Sequence, residues 1–260
     1  MSLTVTIITK NEALCIRDCL ESVTFADEIV VLDSGSSDET ARICEEYGAR
    51  VKVTDWPGFG PQKNRAISMA TGDWVLSIDA DEIVSEALRA EIIQAIRNPA
   101  GKVAFQMPRA SSYCGRLMRH GGWWPDYVTR LFLRGHGRFS DVLVHETLIV
   151  EGMIGKLDEP LQHHSFRDLE AVLAKVNAYS TAGALEMGRK NRRGGLCKAV
   201  LHGFWAFMRT YFIRRGFLDG TEGFMLAVSN AEGTYYRYVK RMLLDRKPAD
   251  AYQRHRDDLQ

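Results

Sequence analysis

Several familiar devices are missing from this chain of 260 residues. Its five cysteines (Cys15, Cys19, Cys44, Cys114 and Cys197) are odd in number, scattered, and form no Cys-x-x-Cys pair. This excludes a disulfide scaffold and a zinc site of ordinary spacing, and the expected state is buried free thiols in a reducing cytoplasm. No Gly-x-Gly-x-x-Gly follows the first apolar segment, and no P-loop signature occurs anywhere. Dinucleotide-binding and P-loop chemistry are therefore not expected. No apolar run near the C-terminus approaches the roughly 20 residues needed to span a bilayer, since Ala199–Met208 reaches about half of that. The N-terminus, Met1-Ser-Leu-Thr-Val-Thr-Ile-Ile-Thr, lacks a basic region ahead of an apolar core, so it reads as a strand rather than a secretory signal. There is no internal repeat and no low-complexity tract. A content of 45% hydrophobic and 26% charged residues is globular, which rules out disorder and collagen-like structure.

A net charge of +1 hides a division. Residues 1–100 carry 9 basic and 17 acidic side chains, whereas the rest of the chain carries 25 and 16. Such asymmetry predicts different partners for the two parts.

The first hundred residues alternate strands and helices. Continuous β-rich runs at Leu3–Thr9 and Glu28–Asp33, then Arg50–Thr54 and Asp73–Ile78, read as strands covered on both faces. Between them, helices are expected from a cap at Asn11 to about Val23, from Ser36 or Ser37 to Tyr47, and from about Gln62 to Ala70. Repeated β-α units imply a parallel, helix-covered sheet, an α/β fold whose ligands sit at the carboxyl ends of the strands. Thr9–Glu12, Asp33–Asp38 and Asp79–Asp81 all fall at such ends, so three polar clusters converge on one crevice. Short strands follow at Val103–Met107, Val128–Leu133 and Leu148–Val150. Helical patterns then run from Asp168 to about Lys190, from Leu196 to Arg215 and from about Thr221 to Leu244. The expected division is 1–165 for a nucleotide-binding and catalytic domain and 166–260 for a helical extension.

Asp79-Ala-Asp81 places two carboxylates in a tight turn at a strand end. Hard cations such as Mg²⁺ or Mn²⁺ take oxygen ligands and share their sites with substrate phosphates. The plainer alternative is a solvated acidic turn followed by a helix cap at Ser85. Asp33 can accept hydrogen bonds from a ribose or base, and Lys63 and Arg65 can face a diphosphate or form a solvated helix face.

Val5-Thr-Ile-Ile-Thr-Lys-Asn-Glu, Val31-Leu-Asp-Ser-Gly-Ser-Ser-Asp-Glu-Thr, Gln62-Lys-Asn-Arg-Ala and Leu76-Ser-Ile-Asp-Ala-Asp-Glu resemble, in order and spacing, the family 2 inverting glycosyltransferases of GT-A fold. Trp123-Trp-Pro-Asp-Tyr-Val-Thr-Arg-Leu-Phe, Val144-His-Glu and Phe217-Leu-Asp-Gly-Thr-Glu-Gly resemble the branch that glucosylates the bacterial lipopolysaccharide core. The resemblance implies a mostly parallel sheet covered by helices, a UDP-sugar donor and an inner-core heptose or similar glycolipid acceptor. It implies nucleotide contacts from Thr9, Asn11, Glu12, Asp33, Ser34, Lys63, Arg65 and Asp79. Asp81 is expected to be the direct metal ligand, with Asp79 bridging ribose and metal. Glu146 is the favoured base and Asp126 the second candidate; an ion pair with Arg130 or Arg138 is the structural alternative for Glu146. The alternative role for Asp126 is binding acceptor hydroxyls, and Trp123, Trp124 and Arg130 are expected on the acceptor side, where the tryptophans either stack on sugar faces or pack in the core. His145 and His163 are read as hydrogen-bonded structural residues, with metal or phosphate ligation as the alternative.

From Met187 to Leu218 there are eight Lys or Arg and no acid, interleaved with aromatics. At helical spacing Leu201, Phe204, Met208 and Phe212 share one face, and Lys198, His202 and Arg209 share another. This suits a helix on an anionic membrane surface, at the inner face of a bacterial inner membrane. A helix packed on the catalytic domain is the alternative, and nucleic acid is not expected because no nucleic-acid motif accompanies the patch. Other functions consistent with the residues are a family 2 transferase acting on a polyprenyl-linked or protein acceptor, and a non-catalytic nucleotide-sugar or anionic-lipid binding module. The oligomeric state stays open.

Overall fold

The computed structural model describes residues 1–141 and 146–246. The chain begins with β1 (Leu3–Thr9), α1 (Ile16–Ser22), β2 (Glu28–Asp33), α2 (Thr40–Glu46), β3 (Arg50–Val53), α3 (Phe59–Met69) and β4 (Trp74–Asp79). It continues through β5 (Glu82–Val84), α4 (Glu86–Arg97), β6 (Ala104–Tyr113), β7 (Arg116–Leu117), β8 (Asp126–Leu133) and β9 (Gly137–Phe139). The remainder is β10 (Leu148–Val150), β11 (Ile154–Lys156), β12 (Leu161–Phe166), α5 (Leu169–Arg189), α6 (Leu196–Met208) and α7 (Gly220–Leu244).

Ten strands form one sheet in the path order β3-β2-β1-β4-β8-β6-β12-β5, with β7 and β11 both pairing β6. The first four are parallel, with β1 between β2 and β4. All seven residues of β1 are buried, the pattern of a strand covered on both faces. Register then fixes the crevice: Thr9 lies opposite Asp33, and Ile8 opposite Asp79. β8 runs antiparallel to β4, and β6 antiparallel to β8. Reversal brings the N-terminal half of β8, from Asp126 to Arg130, beside the carboxyl end of β4. It also sets Arg109 opposite Asp126. The core behind this edge includes Val5, Ile7, Leu20, Leu76, Leu88 and Ile92, all buried. Ser85 caps α4, its Oγ accepting from Leu88 N at 3.1 Å, as its position before that helix led us to expect.

The chain forms two compact units, one of Met1–Ala110 with Pro125–His163, the other of Ser111–Trp124 with the residues from His164 onward. A segment from the middle of the chain thus groups with the C-terminal helices. In this second unit Tyr113, Met118, Val172 and Leu226 form a small core, against which Trp123 and Phe166 pack.

Some expectations are corrected locally. Asn11 does not cap α1; it takes a left-handed φ of 56°, and the helix starts at Ile16. α2 starts at Thr40 rather than Ser36 or Ser37, because those serines bond back to Asp33 and Asn11. The helix expected from Leu196 to Arg215 ends at Met208 and passes into one turn of π-helix, Arg209–Ile213. Three cysteines are buried, but Cys197 is exposed.

α3 approaches the chain after β9 very closely at Gly60. A Cβ there would stand 2.0 Å from Ser140 O, a backbone atom with little freedom to retreat. Gly60→Ala should therefore cost about 1–3 kcal/mol, read as a lower urea midpoint at unchanged slope. An unaltered midpoint would contradict this packing.

Candidate active site

Two loops build one wall of the crevice. After β1, the Asn11 N–H donates to Ser36 Oγ at 2.8 Å, and Asn11 Oδ1 accepts from Ser37 N at 2.8 Å. Glu12 N donates to Thr40 Oγ1 at 2.8 Å. Asp33 is buried, and its Oδ1 accepts from Gly35 N at 2.9 Å and Ser36 N at 2.7 Å, while Ser36 Oγ donates to Oδ2. The carboxylate therefore shapes its own loop. Ser34 N donates to Thr9 O at 2.9 Å, and Ser34 Oγ accepts from Gln62 Nε2 at 3.1 Å. Thr9 Oγ1 is buried and has no hydrogen-bond partner among the described residues.

The opposite wall is ionic. Lys63 is only 2% exposed, and its Nζ lies 2.8 Å from Asp79 Oδ1 and 2.8 Å from Glu146 Oε1. Asp79 Oδ2 accepts from Arg130 Nη2 at 2.6 Å. The same Nη2 donates to Glu82 Oε1 at 2.7 Å, and Glu82 Oε2 accepts from the Asp79 N–H at 2.9 Å. Arg109 Nη1 stands 3.7 Å from Glu82 Oε1, and Arg109 Nη2 donates to Asp126 Oδ2 at 2.6 Å. The result is an alternating row, Asp126–Arg109–Glu82–Arg130–Asp79–Lys63–Glu146, drawn from β8, β6, β5, β4, α3 and the chain just before β10. Glu82 is 0% and Arg130 5% exposed, so each of these charges depends on its neighbours.

Burial works to raise the Asp79 carboxyl, but the Arg130 and Lys63 charges outweigh it and hold it well below the usual carboxylate range. Burial likewise opposes the charge of Arg130, yet Asp79 and Glu82 keep it firmly protonated. Behind the turn, burial pushes the Cys19 thiol well up, helped by the Glu82 charge, so it is a core thiol and not a nucleophile.

The site thus gathers Thr9, Asn11, Glu12, Asp33 and Ser34 on one side, and Lys63, Asp79, Arg130 and Glu146 on the other. Arg65 is separated from Lys63, as residues two apart on a helix must be. It pairs with Asp55 at 2.8 Å and lines a different cavity of about 310 Å³ with Leu32, Lys52 and Thr54. Glu146 pairs with Lys63 rather than with Arg130 or Arg138. Trp123, in the second unit, packs edge-on against Tyr113 at 5.9 Å, and Trp124 lies under the Arg119 guanidinium at 5.5 Å. His145 lies outside the described residues.

Three contributors carried no role in the sequence reading. Glu82 was within a quoted motif, but only its burial identifies it as the joint of the network. Arg109 sits in a strand with no motif around it. Asn64 returns two bonds to the Phe139 backbone, Nδ2 to O at 2.9 Å and N to Oδ1 at 2.8 Å, fixing β9 beside α3.

The donors available to a divalent cation are chiefly Asp81 and its neighbour Asp79. Asp81 Oδ2 lies 3.4 Å from His163 Nε2, which β12 places opposite β5. Among the described residues no group of three or more His, Cys, Asp or Glu is assembled to hold a metal. This is not a closed protein cage. It fits a hard cation that takes one or two carboxylates from protein and completes its shell with diphosphate and water.

The model of glycosyl transferase family 2 matches residues 4–149. An uncharacterized glycosyltransferase of Rickettsia conorii is 31% identical over 90% of this chain and 87% of its own. The lipopolysaccharide core biosynthesis glycosyltransferase LpsC of Rhizobium meliloti is 30% identical over 96% of this chain and 91% of its own. A crystal structure of S. aureus TarS 1-349 with UDP-GlcNAc is 26% identical over 45% of this chain and 36% of that one, with a TM-score of 0.38.

Removing one partner from the buried row leaves another charge unpaired. Glu82→Gln should lower stability by about 3 kcal/mol, whereas Asp126→Asn, at the exposed end of the row, should cost under about 1 kcal/mol. Because the folded chain lowers the Asp79 carboxyl, the stability it contributes is complete above the unfolded value of about 4 and shrinks as pH falls below that. The gap in urea midpoint between the native chain and Asp79→Asn should therefore narrow below about pH 4. A gap that widens on acidification would contradict the assignment.

Proposed function

The chain belongs to glycosyl transferase family 2, and on that premise we propose that it transfers glucose, with inversion, from a UDP-sugar to a lipopolysaccharide inner-core or similar glycolipid acceptor. The observation that carries the proposal is the placement of Glu146 and Asp79 on the two sides of one buried lysine, at the carboxyl edge of the parallel strands. The likeness to LpsC along nearly the whole chain supports the choice of acceptor class.

In this reading the nucleotide lies against Thr9, Asn11, Glu12, Asp33 and Ser34. The Thr9 hydroxyl, buried and without a partner among the described residues, offers it a hydrogen bond. Asp79, anchored by Arg130 and by its own N–H to Glu82, carries the ribose side. Asp81, with Asp79, would hold Mg²⁺ or Mn²⁺, which when bound supplies charge stabilisation to the departing diphosphate. Glu146 is the base. Lys63 fixes its Oε1, and the carboxylate takes the proton from the acceptor hydroxyl as that oxygen attacks the anomeric carbon from the face opposite UDP. Arg130, buried and committed to two carboxylates, acts as a positioning residue for Asp79 rather than as an open acceptor contact. Arg109 does the same for Asp126, leaving Asp126 as a candidate for the acceptor hydroxyls.

The second unit supplies the membrane side of this proposal. α6 packs on α7 through its small residues: Ala199, Gly203 and Ala206 are buried, and a Cβ on Gly203 would lie 3.2 Å from Ala231 O. Phe207 packs edge-on against Phe224 of α7 at 5.6 Å, but Leu201, Phe204 and Trp205 of α6, and Phe212, Ile213 and Leu218 beyond it, are exposed. An apolar face of this size beside an acid-free basic stretch suits the headgroup region of an anionic bilayer. No helix among the described residues is long and apolar enough to cross a membrane, so the proposed attachment is peripheral, on the inner face of the bacterial inner membrane.

Asp81→Ala and Glu146→Gln should each abolish transfer in folded protein, and UDP binding with metal present should separate them. Asp81→Ala should weaken that binding by about tenfold or more, for loss of a charged ligand, and Glu146→Gln should leave it unchanged. Full turnover by purified Glu146→Gln would remove the base assignment. Vesicle co-sedimentation checks the surface: Phe204→Glu should abolish binding to anionic vesicles while α6 stays folded, and retained binding would refute the apolar contact.

A further inference from the structure

The stretch Phe217-Leu-Asp-Gly-Thr-Glu-Gly plays no part in the site described above; it lies in the second unit and builds something of its own. Asp219 is buried, and its carboxylate accepts from Arg119 N at 3.2 Å, from His120 N at 2.7 Å and, through Oδ1, from His120 Nδ1 at 2.9 Å. Gly220 follows with a φ of 68°, which frees the chain to enter α7 directly behind that carboxylate. A buried carboxylate that fixes Nδ1 of a histidine orients the ring, and Nε2 remains as its working nitrogen. The His120 side chain is 35% exposed.

Arg214 arrives beside it. Its carbonyl accepts from Gly121 N at 2.8 Å, and its guanidinium lies against Gly122, where a Cβ would meet Nη1 at 2.3 Å and Cζ at 2.9 Å. The Arg214 side chain is exposed and has no ion pair or side-chain hydrogen bond among the described residues. The backbone here is irregular in a way that costs energy. A π-helical turn closes on Arg214 N to Arg209 O at 2.8 Å, and Arg215 adopts a left-handed φ of 56°. Such irregularities collect at functional sites. Phe212, Ile213, Phe217 and Leu218, exposed on either side, bracket the arginine with apolar side chains.

We infer that His120, held by Asp219, and Arg214, laid over Gly122, form a binding site for a phosphate monoester carried on a lipid-anchored molecule. The inference rests on the glycolipid reading of the acceptor and narrows it to a phosphorylated one. A guanidinium matches two phosphate oxygens in a fork. A monoester suits either form of the ring, accepting from Nε2–H or giving its own proton to Nε2. The flanking apolar residues favour a ligand presented at a lipid surface over a free sugar phosphate.

The test uses the full chain with phosphatidylcholine vesicles carrying either phosphatidic acid, a monoester, or phosphatidylglycerol, a diester, matched in surface charge. Inorganic phosphate is the soluble arm. The native chain should prefer the monoester vesicles by about tenfold. Arg214→Gln and His120→Asn should each abolish that preference while binding to the diester vesicles persists, and Arg214→Lys should restore part of it. Arg214→Gln alters an exposed side chain, so it stays informative if His120→Asn fails to fold. Equal affinity for both vesicles, or a preference that survives Arg214→Gln, would overturn the site. Saturation by inorganic phosphate at the same affinity as the vesicles would overturn its lipid-borne character. UDP binding measured on the same proteins separates the two readings: variants that keep UDP binding lose only the phosphate site, whereas a native chain that binds no UDP defeats the transferase reading and leaves the vesicle comparison standing.

Discussion

The geometry of the crevice depends on one fully buried carboxylate, Glu82. It ties the turn after β4 through the Asp79 N–H and takes the guanidinium of Arg130, which in turn holds Asp79. An isolated charge in that position would be too expensive to keep. It is tolerated because positive and negative groups alternate along the row, and because almost every member also makes directed hydrogen bonds. The consequence is rigidity where chemistry needs it. Asp79 and Glu146 are set on either side of Lys63 by contacts of 2.8 Å each, so the two carboxylates proposed for nucleotide and base are tied to one side chain.

Topology makes this row possible. Parallel strands deliver Thr9, Asp33 and Asp79 to one edge, a familiar property of open α/β sheets. That edge alone is acidic. Antiparallel β8 adds Arg130 from its N-terminal half, and β6, which runs antiparallel to β8 and so parallel to β4, adds Arg109 from its C-terminal half. Asn64, bonded twice to the Phe139 backbone, holds β9 against α3. Specific interactions are thus concentrated where the parallel strands meet the antiparallel β8.

Much of the acidic edge was legible in the sequence. Leu3–Thr9 and Glu28–Asp33 are strands with the same limits that their apolar runs indicate. The three polar clusters meet because parallel pairing aligns their strand ends. What stayed hidden has physical causes. β5 is three residues long, and β12 reads Leu-Gln-His-His-Ser-Phe, which carries no continuous apolar signal; each is a strand because of its partner. Glu82 and Arg130 are 48 residues apart, and Asp79 and Arg130 are 51 apart, separations that no local pattern encodes. Asn11 has the composition of a helix cap, but tertiary bonds to Ser36 and Ser37 hold it in a left-handed turn instead. In α6 the apolar periodicity is real, but the buried side is formed by the small residues Ala199, Gly203 and Ala206, whose packing no apolar signal announces.

The charge asymmetry of the sequence acquires a location in each unit: carboxylates around the carboxyl edge of the parallel strands in the first, arginines and outward aromatics in the second. The proposed activity is tested most directly by the product itself. Incubating the chain with UDP-glucose, Mg²⁺ and purified lipopolysaccharide core acceptor, then reading the anomeric configuration of the new linkage by NMR, distinguishes the alternatives. A single displacement assisted by Glu146 predicts a β-linked glucose from the α-linked donor. An α-linked product, or UDP release with no sugar attached to the acceptor, would contradict it.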